Sequence, residues 1–309
     1  MSKSNQQVVV ITGATAGIGR HAAEYLSARG YRVIATGRNP AILAEIAHKS
    51  GGKVDTVRLD VTSEESIAAA VLEVDRLTEG HGADVLVNNA GYGMAAPLAE
   101  LTDADLRKQF DTNVFGLMAV TRAFLPRMMQ RRAGRIINIS SIGGRITFPM
   151  FGAYHGSKYA VEALSDCLRM ELRPFGIRVS LVEPGPIATE FANRSMAEVS
   201  KYKNQGTESP YGPVYARADR LKELSDKQAA HPIKVSRAIE RAAFGRWPSA
   251  RYVVPFSSAV MLWVLSRLPT SWRDAMMRRF VGLTAKLVRP VQPVAVGVGA
   301  ANGKRSVAA

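Results

Sequence analysis

Cysteine is almost missing from this 309-residue chain, with Cys167 standing alone. A single thiol excludes an intrachain disulfide framework and any structural zinc or iron–sulfur centre that needs several thiolates. Long hydrophobic runs are missing too. The longest uninterrupted apolar run near the C-terminus, 259–265, has seven residues, far short of the ~20 that span a bilayer. The polar residues 1–7 lack the apolar core of a secretory signal. A cytoplasmic globular protein is the expectation. The five histidines, His21, His48, His81, His155 and His231, show no ligand spacing, so no metal site is expected. A Gly-x-Ser-x-Gly hydrolase signature is absent as well.

Acidic residues are scarce in one place only. The chain carries 41 basic and 26 acidic side chains, a net charge of +15. Residues 1–230 hold 28 basic against 24 acidic side chains. Residues 231–309 hold 13 basic ones, with Glu240 and Asp274 as their only acids. A nearly neutral body therefore carries a basic C-terminal segment.

In the body, β-branched runs of four to six residues at 8–12, 33–36, 54–59, 135–140 and 179–182, and a shorter one at 85–87, lack polar alternation. That pattern predicts strands buried on both faces. Helical spacing fills 18–29, 40–49, 63–78, 103–131 and 154–175. Ser63 and Thr102 stand as start signals, and Gly30, Gly51 and Gly176 as stops. The alternation predicts an α/β fold, a doubly wound parallel sheet with helices on both faces. Residues 1–255 read as one catalytic domain of this Rossmann type. Within it, 190–230 reads as a substrate lid, 235–244 as a further helix and 252–254 as a final strand. Residues 256–289 read as a basic helical extension and 290–309 as a disordered tail.

Between the first strand and helix lies Thr12-Gly13-Ala14-Thr15-Ala16-Gly17-Ile18-Gly19. Free N–H groups and the dipole at a helix start attract a dinucleotide pyrophosphate, and glycines let the backbone approach it. At the end of the second strand stands Arg38, with no carboxylate where an NAD site holds its ribose. Arg38 can pair with a 2′-phosphate, which favours NADP(H), with NAD(H) still open. Asp60 and Val61 close the third strand, where a carboxylate can meet an adenine amino group. Asn89, Ala90 and Gly91 close the fourth, with side chains small enough to pass under a cofactor.

Tyr154 and Lys158 stand four apart at a helix start, hence on one face. A phenol ionises near pH 10, so acid–base work near neutrality needs its anion stabilised by a neighbouring cation. Ser140-Ser141 ends the fifth strand, at the carboxyl edge where open α/β sheets bind ligands.

Taken in order, Thr12–Gly19, Asp60, Asn88–Gly91, Asn113, Ser141, Tyr154, Lys158 and Pro184-Gly185-x-Ile187-x-Thr189 resemble the short-chain dehydrogenase/reductase family. The likeness is to its hydroxysteroid and retinol dehydrogenase-like group and covers residues 6–190. The resemblance implies Tyr154 as general acid/base, Lys158 as the residue that lowers its pKa and binds the nicotinamide ribose, and Ser141 as the substrate-orienting serine. It implies Asn113 as support for a water relay, and Pro184, Gly185, Ile187 and Thr189 as the loop meeting the nicotinamide carboxamide. It implies a homodimer or homotetramer packed through the helices at 103–131 and 154–175. The expected reaction interconverts a hydrophobic ketone or aldehyde and its alcohol, with Phe191, Tyr211 and Tyr215 as substrate contacts. A 3-ketoacyl thioester reductase and a non-enzymatic nucleotide-sensing scaffold are the alternatives.

Projected as a helix, 272–289 places Trp272, Met276, Met277, Phe280 and Val281 on one half and most of its basic residues on or near the other. Such a helix suits an anionic membrane surface, the core or a subunit contact. Its amphipathic character speaks against nucleic acid as a partner.

Overall fold

Short runs of valine and isoleucine suit strands covered on both faces, and such runs form the middle of a parallel sheet that has seven strands among the described residues. The structure is a computed structural model describing residues 7–284 except 192–194, 196–201 and 203–208. The tail expected at 290–309 lies outside the described residues. The strands are β1 (Val8–Ile11), β2 (Arg32–Gly37), β3 (Val54–Arg58), β4 (Val85–Asn88), β5 (Gly134–Ile139), β6 (Ile177–Pro184) and β7 (Arg251–Val254). All pair in parallel in the order β3-β2-β1-β4-β5-β6-β7. The order reverses between β1 and β4, and ligands of open α/β sheets bind at that switch.

Helices α1 (Gly17–Ala28), α2 (Pro40–Lys49), α3 (Glu64–Leu77), α4 (Asp103–Phe110), α5 (Leu117–Arg131) and α6 (Gly152–Glu171) connect the strands. After β6 come α7 (Gly212–Tyr215), α8 (Ala218–Gln228) and α9 (Ile233–Phe244), and after β7 come α10 (Phe256–Leu265) and α11 (Thr270–Val281). On one face of the sheet, Val9, Ile11, Ile137 and Val182 pack against α1 and α9 through Leu26 and Ile239. On the other, Val10, Ile34 and Ile136 meet Val74, Phe124 and Leu168 of α3, α5 and α6. The start signals act as read: the Ser63 and Thr102 side chains accept from the Ser66 and Asp105 backbone N–H groups.

Two expected helices differ. The run at 103–131 is interrupted by a wider π turn at Asp111–Gly116. There Gly116 comes so close to the Val61 carbonyl that a Cβ would lie 2.7 Å from it, and the Asn113 side chain turns into the protein. The helix expected over 272–289 ends at Val281. Gly282 takes φ +83°, and the Gly282 and Leu283 N–H groups bond back to the Arg279 and Arg278 carbonyls, which closes the last turn. Both C-terminal helices pack on the body through Leu262, Leu265 and Met277, which meet Ile146 and Phe148.

Ile137 is fully buried in the middle of the sheet. Ile137→Ala is expected to lower unfolding free energy by about 2–5 kcal/mol, whereas Leu72→Ala on exposed α3 surface stays within about 0.5 kcal/mol. Urea unfolding monitored by circular dichroism measures both.

Candidate active site

The carboxyl ends of β1 and β4 are laced together by one threonine and one asparagine. Thr12 Oγ accepts from the Asn89 and Ala90 N–H groups at 2.9 and 3.0 Å. Asn89 Nδ2 donates to the carbonyls of Thr12 and Gly13 at 2.9 and 3.1 Å. These bonds press the glycine loop onto 89–91. A Cβ on Gly13 would lie 2.7 Å from Ala90 Cα, and one on Gly19 2.4 Å from Asn89 Nδ2. Ala16, in extended conformation, precedes α1 and gives it no side-chain cap. The first-turn N–H groups of α1, including those of Gly17 and Ile18, are thus left to whatever lies against the loop. Uncapped donors and a side-chain-free approach fit a pyrophosphate.

At the adenosine end, Thr15 packs its methyl so close to Gly37 that a Cβ there would lie 2.5 Å away. Arg38 follows, exposed at the end of β2. Asp60 Oδ1 accepts from the Thr62 N–H and hydroxyl at 3.0 and 2.7 Å. Burial works against its charge, but the Thr62 bonds and the Arg38 and Arg58 guanidiniums hold the carboxyl below its ordinary range. Val61 is buried in the core, behind this edge.

Across the switch point the second group converges. Lys158, 6 % exposed, donates from Nζ to the Ile139 carbonyl at 2.8 Å and lies 5.8 Å from the Tyr154 ring centroid. Burial pushes its ammonium down to about 8, against the raising influence of Glu162. Burial pushes the Tyr154 phenol up to about 12, and a hydrogen bond with Ser141 works the other way. Ser141 Oγ accepts from the Gly143 N–H at 3.0 Å. Ser140, by contrast, is buried with its hydroxyl toward Glu162, so only Ser141 addresses the tyrosine. Asn113 donates to the Tyr92 carbonyl and the Ser157 hydroxyl, both at 3.0 Å, and accepts from the Tyr92 N–H at 3.1 Å. Gly91 sits where a Cβ would lie 3.0 Å from Asn113 Oδ1 and 3.8 Å from Lys158 Nζ.

The loop after β6 closes over this floor. Gly185 donates to the Val254 carbonyl at 2.7 Å, Ile187 bridges to Ala230, and Thr189 stands where a Cβ on Gly17 would lie 3.6 Å from its Cβ. Phe191 stacks obliquely on Tyr154 with centroids 5.6 Å apart. Of the aromatic residues expected to contact substrate, Tyr215 is instead an anchor: it is buried, and its hydroxyl donates to Glu100 at 2.8 Å. Tyr211 packs beside it in the same apolar cluster.

Beneath Lys158 lies a group that sequence reasoning missed. Arg251 of β7 reaches Glu162 at 3.1 Å, Asp166 at 2.6 Å and Glu183 at 3.2 Å. Arg145 meets Glu183 at 3.4 Å. Burial and the neighbouring Glu162 charge push the Glu183 carboxyl up to about 7, against Arg145 and Arg251. Glu162, one turn past Lys158, carried a readable signal; Arg251, 89 positions from it, carried none. Gly37 was also missed, because only the folded loop brings Thr15 against it. No group of metal-ligating side chains occurs among the described residues.

A parallel sheet with a glycine loop at its switch point and a Ser–Tyr–Lys constellation beside it defines a nicotinamide-dinucleotide oxidoreductase. The short chain dehydrogenase family matches residues 7–200. The chain belongs to that family. A 3-ketodihydrosphingosine reductase of Bacteroides thetaiotaomicron is 35 % identical over 90 % of this chain and 98 % of its own length. Human 17-beta-hydroxysteroid dehydrogenase type 6 is also 35 % identical, over 90 % of each chain. Actinorhodin polyketide ketoreductase, solved with NADPH, superposes with a TM-score of 0.69 at 28 % identity, over 82 % of this chain and 97 % of its own.

The His155 ring beside Tyr154 is 4 % exposed and bonds the Gly143 carbonyl at 2.9 Å. Burial lowers its pKa from 6.5 to about 4, the Gly143 bond opposing. The unfolded chain therefore binds a proton that the folded one refuses between those values. Stability is expected to fall as pH drops through 6.5 and to level off below 4 for this group, a loss of roughly 3 kcal/mol at most. Melting curves across that range should be flatter for His155→Gln.

Proposed function

We propose that the protein is an NADP(H)-dependent reductase and dehydrogenase that interconverts a hydrophobic, lipid-like ketone or aldehyde and its alcohol. The observation that carries this reading is the convergence of Ser141, Tyr154, Lys158, Asn113 and Gly91 at one end of the glycine-loop cleft, with Phe191 across the mouth. Arg38, unaccompanied by an acid at the end of β2, supports a 2′-phosphate. The keto-lipid, steroid and polyketide named in the relatives support an apolar carbonyl.

When bound, a nicotinamide cofactor would supply or accept the hydride. The chain's own residues handle the proton. Ser141 donates a hydrogen bond to the substrate oxygen and sets its place. Tyr154, held protonated by burial, gives its phenolic proton to that oxygen as the carbonyl is reduced. In oxidation the Tyr154 oxygen takes the proton back, and the Lys158 ammonium one turn away stabilises the phenolate. Asn113 holds the Tyr92 backbone and Ser157 in place, and with them the turn over Lys158. Pro184, Gly185, Ile187 and Thr189 form the wall on the nicotinamide side; of the lid expected at 190–230, α7 and α8 stand on the substrate side, and 192–194, 196–201 and 203–208 lie outside the described residues. The exposed Phe115 and Met170, flanking α5 and on α6, support pairing of two or four copies through those helices.

Tyr154→Phe is expected to lower kcat by about 10²- to 10⁴-fold while NADPH binding persists. Arg38→Ala is expected to raise KM for NADPH by about ten- to a hundredfold and leave NADH unchanged. NADPH oxidation with steroids, retinal, long-chain ketones, 3-ketoacyl thioesters and small polar carbonyls tests the substrate class. Turnover of the small polar carbonyls alone would refute it, and turnover of thioesters alone would replace it with an acyl-chain reductase.

A further inference from the structure

The two C-terminal helices are apolar on both sides, and only one side is covered. Fifteen large hydrophobic side chains are exposed among the described residues, and seven of them fall between 256 and 280. On α10 they are Phe256, Val260, Trp263 and Val264, at spacings of four, seven and eight that place them on one face. On α11 they are Trp272, Met276 and Phe280, again four and eight apart. Trp272 is 69 % exposed, and Trp263 and Phe280 are each 59 % exposed. The opposite faces carry Leu262, Leu265 and Met277 into a single cluster on Ile146. Both uncovered faces therefore point away from the same patch of the body.

Isolated surface hydrophobics need no explanation, but a concentrated set rimmed by charge marks a contact surface. The rim here has one sign. Arg267, Arg278 and Arg279 are exposed, and Asp274 is the only acid from 256 onward. Arg267 lies over the Trp263 ring at 4.0 Å, so the ring's outer edge and the guanidinium share one side of α10. Beyond 284 the chain adds Lys286, Arg289, Lys304 and Arg305 and no acid.

We propose that this face of α10 and α11 docks the protein on an anionic lipid surface. Tryptophan and phenylalanine enter the boundary between headgroups and acyl chains, and the arginines pair with lipid phosphates above it. A second copy of the chain is a poorer occupant, because a two-fold contact would set this arginine rim against itself. Within the described residues no helix is long and apolar enough to cross a membrane, so the helices lie along the interface. Ser258 of α10 packs directly on Gly185, which puts the docking helix against the loop over the catalytic floor.

The test is flotation of the full-length protein with vesicles of phosphatidylcholine, with and without about 30 % phosphatidylglycerol. The protein is expected to float with the anionic vesicles only, and to be released between about 0.05 and about 0.5 M NaCl. In a Trp247→Phe background, emission from Trp263 and Trp272 is expected to shift to the blue on binding. Trp263→Ala/Trp272→Ala/Phe280→Ala and, separately, Arg278→Glu/Arg279→Glu are each expected to weaken binding by about tenfold or more. Neither should change NADPH oxidation with a soluble ketone. The charge reversal leaves the apolar face whole, so it remains decisive if the triple variant unfolds. Failure to float, equal floating on neutral vesicles, or variants that float like the parent would overturn the proposal. So would light scattering in which the triple variant dissociates a dimer of the parent. The soluble-ketone assay is read separately, so a failed docking proposal leaves the proposed chemistry standing, and the reverse.

Discussion

A buried ammonium has to be held, and the structure around Lys158 is arranged to hold it. Taking a cation out of water costs several kcal/mol unless partners replace the lost hydration. Ile139, the last residue of β5, supplies its carbonyl, so the end of a central strand and the first turns of α6 are locked at one distance. Tyr154 then falls beside the ammonium because it lies one turn earlier on the same helix. Gly91, at the end of the neighbouring strand, has no side chain to crowd it. Lys158 thereby ties β5 to α6, and the π turn before α5 reaches the same helix through Asn113 and Ser157.

The second consequence is electrostatic. A lone positive charge beneath the floor would be poorly compensated, and Glu162 and Glu183 would be two negative ones. Arg251 joins them, with Asp166 at the rim. Burying paired charges seldom adds stability, whereas leaving one unpaired is costly. The cluster is therefore better understood as what fixes β7 and α6 in register behind the site than as a source of stability. It sits one helical turn from Lys158, so its net charge is felt there.

Much of this was legible before any coordinates. The strand and helix pattern announces the sheet because strands buried on both faces cannot alternate. The positions of the glycine loop, Arg38, Asp60, Ser141, Tyr154 and Lys158 were readable because each stands at or just past a strand end or at a helix start, whereas Asn113 came from the family resemblance alone. What escaped was non-local or shape-dependent. Gly37 matters through Thr15, more than twenty positions away in the chain. Arg251 matters through three carboxylates on two other elements. The end of α11 was legible in principle, since Gly282 is a stop signal, but the apolar pattern running past it was more persuasive than the glycine. The half of that helix read as apolar divides in the fold, Met277 inward and Trp272 and Phe280 outward, because two neighbouring helices share one small contact on the body.

Strand β7 has a consequence for how the chain is made. Among the described residues it pairs only with β6, yet it brings a guanidinium that meets two buried acids laid down long before it. During synthesis, Glu162 and Glu183 emerge from the ribosome some seventy to ninety residues ahead of Arg251. Until its last strand arrives, Arg145, translated before both acids, is the guanidinium that meets Glu183, and Glu162 lacks the Arg251 partner. The charge cluster behind the candidate site is thus completed by the last strand of the sheet, although its acids were translated first.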